Sequence, residues 1–240
     1  VQVRSDYILQ DVLRWLNLID RYRATFTWAP NFAFALVNDR SDDVRHRRWD
    51  LSSMRFIVNG GEAVVAKTAR RFLRLLAPLG LPGTAIRPAW GMSETSSAAV
   101  FSDAFDLEST SDADDLVEVG APNPGFEVRI VDDHAQIVPE GYEGRLEVRG
   151  RSVTRGYFNN PSANAESFTD DGWFRTGDLG TLRSGRLTIT GREKGVIIIN
   201  GVNYYAHEVE AAVEDLEGTT PSFTAAFAVR ESTGNTDALV

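Results

Sequence analysis

The first hundred residues alternate between two kinds of hydrophobic pattern. Apolar residues recur at helical spacing over residues 5–24 and again over residues 64–79, where Gly80 supplies a stop signal. Short apolar runs between and after these stretches predict buried strands at residues 25–28, 55–58 and 85–90. Pro30 also permits a helix to begin shortly after the first strand. Strands that alternate with helices predict a parallel sheet covered by helices.

The pattern changes after Ser102. Residues 103–118 are acidic and show no period, which predicts a surface loop. Phe126, Val128 and Ile130 then alternate with polar residues, and residues 146–148 do the same, which is typical of antiparallel sheet. Further strands are predicted at 185–190, 195–199 and 222–229, with a helix at 206–216. The predicted fold class is therefore α/β, with a parallel sheet and helices followed by an antiparallel β part.

A second change occurs at Gly191, where sheet patterning gives way to a charged turn and a new strand–helix–strand series. We expect residues 1–190 to form the C-terminal portion of a large domain and residues 191–240 to begin a small α+β lid. The chain starts directly in a helical pattern and stops inside that small unit, so we expect both ends to be cut from something longer.

Composition excludes several classes of function. The 240 residues carry a net charge of −9, which argues against a general nucleic-acid-binding role. The absence of cysteine excludes disulfides, thiolate metal sites and a cysteine nucleophile, and it is compatible with a cytoplasmic setting. No apolar run has the length of a membrane span, so no membrane partner is expected. Lysine occurs only at Lys67 and Lys194, so lysine chemistry within this chain has two candidates.

Two glycine-containing segments follow predicted strands, where open α/β sheets bind ligands. The first, residues 59–63, contains Gly60, Gly61 and Glu62; glycine lets a ligand approach the backbone near a helix N-terminus, although a plain turn is the simpler interpretation. The second runs from Trp90 to Thr95. It offers an aromatic face, two hydroxyls and a hard oxygen ligand for Mg²⁺, or else a core tryptophan beside a helix cap.

Two further segments carry charged groups, the first at a predicted strand or turn edge and the second at a predicted turn. Residues 172–179 place Asp178 directly after Gly177, where its carboxylate could accept both ribose hydroxyls of a nucleotide or merely close its own turn. Residues 191–195 place Arg192 and Lys194 in what could equally be a solvated hairpin.

Taken together and in order, these segments resemble the adenylate-forming superfamily, which includes acyl-CoA synthetases, fatty acyl-AMP ligases and the adenylation domains of peptide synthetases. The segment at residues 60–63 resembles the adenine-flanking motif, and residues 90–95 resemble the aromatic-Gly-x-Thr/Ser-Glu signature. Residues 144–150 with 156–157, residues 173–179 and residues 191–201 resemble the three motifs that follow. Each motif is short, but five in sequence cover most of the chain from Thr25 onward.

The resemblance implies a role for each matching residue at the nucleotide. Trp90, with Gly91 beside it, would stack on adenine where the family commonly has tyrosine. Gly60, Gly61 and Glu62 would pass the other side of the base. The phosphate side would be served by Ser93 and Thr95, which offer hydroxyls to phosphate oxygens, and by Glu94, which would bind Mg²⁺. We expect these residues to converge on one cleft with Asp178 and Arg192.

The resemblance also implies roles in the second half of the chain. Asp178 and Arg192 would hold the ribose. Lys194 would be the hinge of the lid, and Gly201 would lie near a pantetheine tunnel. The family's phosphate loop and its adenylation lysine are not matched by any segment here, so the chain alone is not expected to be a complete catalyst.

The implied reaction is ATP-dependent activation of a carboxylic acid as an acyl-AMP, followed by transfer to a phosphopantetheine thiol. Residues 27–34 resemble a segment of fatty acyl-AMP ligases and of loading domains in polyketide and peptide synthases, so a fatty or other acyl acid and a carrier protein are expected. A free-standing acyl-CoA ligase is the alternative. A non-catalytic nucleotide-binding relic is the alternative of another class, and retention of Glu94, Asp178 and Arg192 together argues against it.

Overall fold

The computed structural model describes residues 2–62, 64–199, 202–214, 216, 218–219, 224–229 and 238–239. The chain divides into two compact units, Val1–Asn123 and Pro124–Val240. The predicted lid boundary at Gly191 is a separate matter and stays a prediction. Within the described residues, no helix has both the length and the apolar character needed to cross a membrane.

The first unit is a five-stranded sheet with helices. Its strands lie in the order β1 (Phe26–Trp28), β2 (Phe56–Asn59), β3 (Ile86–Gly91), β4 (Ala98–Phe101) and β5 (Glu118–Pro122). Its helices are α1 (Ser5–Leu9), α2 (Leu13–Tyr22), α3 (Asn31–Asp39), α4 (Ser41–Arg45) and α5 (Ala66–Leu76). Strands β1, β2 and β3 are parallel, whereas β4 and β5 join them in antiparallel pairs. The predicted parallel sheet with helices is confirmed.

Three aromatic rings from three helices form the centre of the first unit. Trp15 of α2 stacks on Phe34 of α3 and on Phe72 of α5, with ring centroids 6.2 and 5.8 Å apart. The Phe34 and Phe72 centroids are 4.6 Å apart, and both rings are fully buried. The Trp15 indole also donates a 3.2 Å hydrogen bond to the Thr27 hydroxyl on β1, so the cluster ties the helices to the sheet.

The single helix predicted for residues 5–24 is wrong, because the structure has two helices there. The chain leaves helical geometry between Gln10 and Val12. The Asp11 carboxylate accepts the backbone N–H of Leu13 at 3.2 Å, which gives the second helix its own start. An aspartate that bonds the nearby backbone competes with helix continuation, and apolar spacing alone does not register that competition.

The acidic stretch at residues 103–118 is a loop as predicted, but it is anchored to the first unit. Arg70 of α5 is buried and donates to the Asp112 carboxylate at 2.6 Å and to the carbonyl oxygens of Asp106 and Leu107. Phe105 inserts into the core from the same loop. One arginine therefore satisfies several oxygen acceptors of the loop and holds the loop to α5.

The second unit is built on a four-stranded antiparallel sheet. Its strand order is β9 (Arg186–Arg192), β8 (Phe174–Arg183), β7 (Gly144–Gly150) and β6 (Phe126–Val131), which confirms the predicted antiparallel part. Smaller elements are α6 (Pro161–Ser167), the antiparallel pair β10 (Val196–Ile199) and β11 (Val202–Tyr205), α7 (Ala206–Glu214), and the short pair β12 (Ala228–Val229) and β13 (Ala238–Leu239). The strand predicted at 222–229 is described only at its end, since residues 220–223 lie outside the described residues.

A buried carboxylate lies at the centre of this antiparallel sheet. Glu147 on β7 is almost inaccessible to solvent, and Arg129 on β6 contacts it at 2.6 Å. Arg129 also reaches the exposed Asp171 at 2.8 Å and lies 4.4 Å over the Trp173 ring. Its hydrogen bond lowers the pKa of Asp171 to about 2. The guanidinium of Arg129 therefore pairs with the buried Glu147 inside the sheet and with Asp171 at its surface.

We predict that Arg129→Ala lowers the free energy of unfolding by about 3 kcal/mol, because it leaves Glu147 charged and buried without its main partner. Arg149→Ala is the matched control. Arg149 also lies over Trp173, at 4.6 Å, but it pairs with the exposed Glu127, and exposed ion pairs contribute little. Urea unfolding of the two variants measures the difference. Equal losses would mean that the tryptophan contact, not the buried pair, carries the effect.

Candidate active site

The Gly60-Gly61 segment connects β2 to α5, and its shape depends on both glycines. A Cβ on Gly60 would lie 2.9 Å from the Ala89 carbonyl oxygen on β3, so the backbone passes directly over the neighbouring strand. Gly61 has φ of +95°, a conformation that side chains disfavour. The segment predicted to flank adenine is thus held tightly against the end of the parallel sheet.

Glu62 makes a contact that the sequence did not suggest. Its carboxylate accepts the backbone N–H of Phe32, at the start of α3, at 2.6 Å. An acidic group at a helix N-terminus satisfies a free donor and interacts favourably with the helix dipole. Glu62 therefore links the glycine segment to α3, and a direct contact with nucleotide stays a prediction.

The signature segment leaves β3 in a tight turn that only glycine permits. A Cβ on Gly91 would lie 2.3 Å from the Ser97 carbonyl oxygen and 2.4 Å from the Ala98 Cα. The following residues, Ser93–Thr95, form one turn of 3-10 helix. The Thr95 hydroxyl is buried, accepts the N–H of Met92 at 3.0 Å and lies within donating distance of the carbonyls of Met92 and Ser97. This bonding favours the capping interpretation of Thr95.

The other signature side chains differ in exposure. Trp90 is 7% exposed, so most of its surface is already packed, and stacking on adenine stays a prediction. Ser93 is exposed, and Glu94 beside it is half-buried. The described residues contain no cluster of three or more His, Cys, Asp or Glu side chains suited to a metal. A single carboxylate nevertheless fits Mg²⁺, which takes one or two protein carboxylates and otherwise uses water and phosphate oxygens.

Asp178 and Arg192 are brought together in the second unit. They face each other across β8 and β9, and the Arg192 Nε donates to the Asp178 carboxylate at 2.9 Å. Asp178 is 4% exposed, whereas the Arg192 side chain is 73% exposed. The Thr176 hydroxyl accepts the Asp178 backbone N–H at 3.0 Å, which fixes the backbone on either side of Gly177 within β8. A buried carboxylate that is paired with an exposed guanidinium can accept hydrogen bonds from the hydroxyl groups of a ligand.

The predicted hinge lies one residue beyond this pair, in the 3-10 turn Glu193–Gly195. A Cβ on Gly191 would lie 2.6 Å from the Tyr205 ring, so the end of β11 packs against β9. The Tyr205 hydroxyl donates to Glu143 at 2.5 Å, and burial together with this bond raises the pKa of Tyr205. Gly201, predicted to lie near a pantetheine tunnel, is outside the described residues.

Sequence reasoning missed two features of the first unit. Asn59, which it treated as part of a turn, is fully buried and its carboxamide has no hydrogen-bond partner within the described part of the chain. A cavity of about 710 Å³ lies along β1 and is lined by residues of α1, α2 and α3, with Trp28 and Phe32 in its wall. None of the predicted site residues lines it. The sequence did offer a signal for Asn59, because an asparagine at the end of an apolar strand is unusual there.

The family model for AMP-binding enzymes matches residues 3–158 of the chain. The chain belongs to the AMP-binding enzyme family. The nonribosomal peptide synthetase btyA of Aspergillus terreus is 41% identical over 254 residues, which cover 100% of this chain and 27% of that protein. The atromentin synthetase of Tapinella panuoides is 38% identical over 250 residues, which cover 100% of this chain and 26% of that protein. The chain thus spans about a quarter of the length of these curated relatives.

Solved structures of AMP-binding enzymes resemble the chain closely. McyG A-PCP complexed with phenylalanyl-adenylate is 46% identical with a TM-score of 0.90, over 98% of this chain and 42% of that one. The multidomain structure of a keto acid-selecting NRPS module is 47% identical with a TM-score of 0.89, over 98% of this chain and 22% of that one. A structure from a study of fatty acyl-adenylate ligases from E. coli and L. pneumophila is 26% identical with a TM-score of 0.83, over 94% of this chain and 45% of that one.

We predict that Gly91→Ala destabilises the first unit by about 1–3 kcal/mol or more, because the new methyl group overlaps backbone that must shift. Gly83→Ala is the control, since a Cβ there meets nothing within 4 Å and its φ is not in the left-handed region. Thermal unfolding of both variants provides the measurement. A Gly91→Ala protein as stable as the Gly83→Ala protein would contradict the close packing of this turn.

Proposed function

We propose that the protein containing this chain uses ATP to activate a carboxylic acid as an acyl adenylate and then transfers the acyl group to a phosphopantetheine thiol. The observation that carries the proposal is the pairing of Asp178 with Arg192, two residues that lie in segments resembling motifs of the adenylate-forming superfamily. A carboxylate buried within a strand costs free energy unless it is paired, and Arg192 supplies an exposed partner for Asp178.

The acid we propose is an α-keto or α-amino acid. The solved structures at 46–47% identity carry a phenylalanyl-adenylate or come from a keto acid-selecting module, whereas the fatty acyl-adenylate ligases are 26% identical. This comparison favours a peptide-synthetase type of substrate over the fatty acid suggested by residues 27–34. The A-PCP neighbour supports a carrier protein, rather than free coenzyme A, as the thiol donor.

Each residue has a defined part in the proposed mechanism. Asp178 accepts hydrogen bonds from the ribose hydroxyls, and Arg192 orients that carboxylate. Ser93 donates to the α-phosphate, against which a carboxylate oxygen of the acid forms a bond as pyrophosphate leaves. Glu94 holds Mg²⁺, which when bound offsets negative charge on the phosphates. The protein's contribution is mainly positioning and charge stabilisation.

We predict that Asp178→Ala weakens ATP binding at least tenfold, since it removes charge-assisted bonds worth roughly 1.5–3 kcal/mol each. The dependence of ATP–pyrophosphate exchange on ATP concentration measures the effect. Glu127→Ala is the matched control, because Glu127 is another arginine-paired carboxylate of the second unit but lies exposed on β6. Unchanged ATP dependence of Asp178→Ala would remove the ribose role from this residue.

A second prediction concerns the two half-reactions. A hinge absorbs a backbone rotation, and Lys194→Pro would fix φ near −65° at the proposed pivot. Acyl-adenylate formation should then persist while thioester formation is blocked. Lys194→Ala, which keeps the backbone free, should support both steps. Pyrophosphate exchange and thioester yield are measured on the same preparations, and equal loss of both in Lys194→Pro would count against a hinge here.

A further inference from the structure

Strand β8 leaves regular pairing at Asp178, the residue proposed to bind ribose. On one side Asp178 stays opposite Arg192 of β9. On the other side the register with β7 shifts, so that Leu146 alone lies opposite residues 176–178. Gly177 within this bulge has φ of +74°, a conformation that side chains disfavour. A bulge bends its strand and re-aims a side chain, and bulges are common beside functional sites. The direction of the Asp178 side chain therefore depends on how the bulge is held.

A single hydroxyl group spans this bulge. The Thr176 Oγ1 donates to the Leu146 carbonyl oxygen at 2.8 Å and accepts the Asp178 backbone N–H at 3.0 Å. In a regular antiparallel ladder, a backbone N–H bonds a carbonyl of the neighbouring strand directly. Here the hydroxyl lies between the two groups. Leu146 and Asp178 are both buried, so water is a poor substitute for this partner. The Thr176 side chain thus takes the place of a ladder hydrogen bond.

We infer that Thr176 is a positioning residue, whose hydroxyl holds the bulge open so that the Asp178 carboxylate faces the ribose of ATP. The inference rests on the proposed function, which gives Asp178 the ribose hydroxyls as donors. Removal of the Thr176 hydroxyl takes this partner from the Asp178 N–H and from the Leu146 carbonyl, and a direct bond between those two groups is the nearest replacement. That bond draws the bulge towards β7 and turns the carboxylate away from Arg192 and the nucleotide.

Thr176→Val tests this role, because valine has the shape of threonine but lacks the hydroxyl. In the full-length parent protein, affinity for Mg²⁺–ATP should fall about tenfold, as expected for the loss of one charge-assisted hydrogen bond to ribose. Thr176→Ser keeps the hydroxyl and should bind Mg²⁺–ATP as the wild type does. Isothermal titration measures the three affinities. A serine variant that binds as weakly as the valine variant would overturn the inference.

Thr169→Val is the matched control from the same unit. The Thr169 hydroxyl also joins two backbone groups, since it accepts the N–H of Trp173 at 2.8 Å and donates to the carbonyl oxygen of that residue at 3.3 Å. Both valine variants should lower the melting temperature, because each leaves a backbone donor and acceptor without this partner. Thr176→Val alone should weaken Mg²⁺–ATP binding. Equal losses of affinity in the two variants would reduce Thr176 to ordinary structural support and overturn its positioning role.

A nucleotide without ribose hydroxyls separates this inference from the proposed function. Dideoxy-ATP lacks both hydroxyls, so the wild type should bind it more weakly than ATP, and Thr176→Val should weaken its binding no further. A Thr176→Val protein that keeps the wild-type preference for ATP over dideoxy-ATP overturns the positioning role alone. A wild-type protein that binds the two nucleotides equally well overturns the proposed ribose role of Asp178, and the inference with it.

Discussion

The packing of Trp15 against Phe34 and Phe72 is the contact on which the first unit depends. Three helices meet through these rings, and the indole hydrogen bond to Thr27 fixes them to the edge of the parallel sheet. Once the helices are held, the loops that follow β2 and β3 emerge side by side at the carboxyl ends of neighbouring strands. That edge is where open α/β sheets carry their ligand-binding groups.

The second unit differs from the first because charged groups lie at its centre. Glu147 and Asp178 are both buried carboxylates on an antiparallel sheet, and each is balanced by an arginine from a neighbouring strand. The partner of Glu147 is itself largely buried, whereas the partner of Asp178 is exposed. The first pair therefore serves the fold, while the second leaves a charged group at the surface where a ligand can reach it.

Much of this architecture could be predicted from the sequence. Strong local patterns mark the three parallel strands, α5 and the alternating strands β6 and β7, and Gly80 ends the 3-10 turn that follows α5. By contrast, β4, β5 and α6 are short and are defined by their neighbours rather than by their own period. The break at Asp11 and the anchoring of the acidic loop by Arg70 depend on individual hydrogen bonds, to which hydrophobic spacing is insensitive.

The candidate site was predictable to a similar degree. The order of motifs identified Asp178 and Arg192, and strand register brings them together. The cap interpretation of the sequence covered Thr95, whose bonds to Met92 and Ser97 are local. The order of motifs could not reveal that Glu62 caps α3, because that bond joins distant residues through the tertiary fold. Asn59 was hidden for the same reason, since burial without a partner is visible only in three dimensions.

The turn at Gly91 also bears on how this gene can vary. Glycine is encoded by codons that share their first two bases, so third-base changes at this position are silent. Every change of the first or second base either creates a stop codon or introduces a side chain. That side chain would enter a space already filled by the backbone of Ser97 and Ala98. Natural sequence drift at this codon should therefore be confined to its third base.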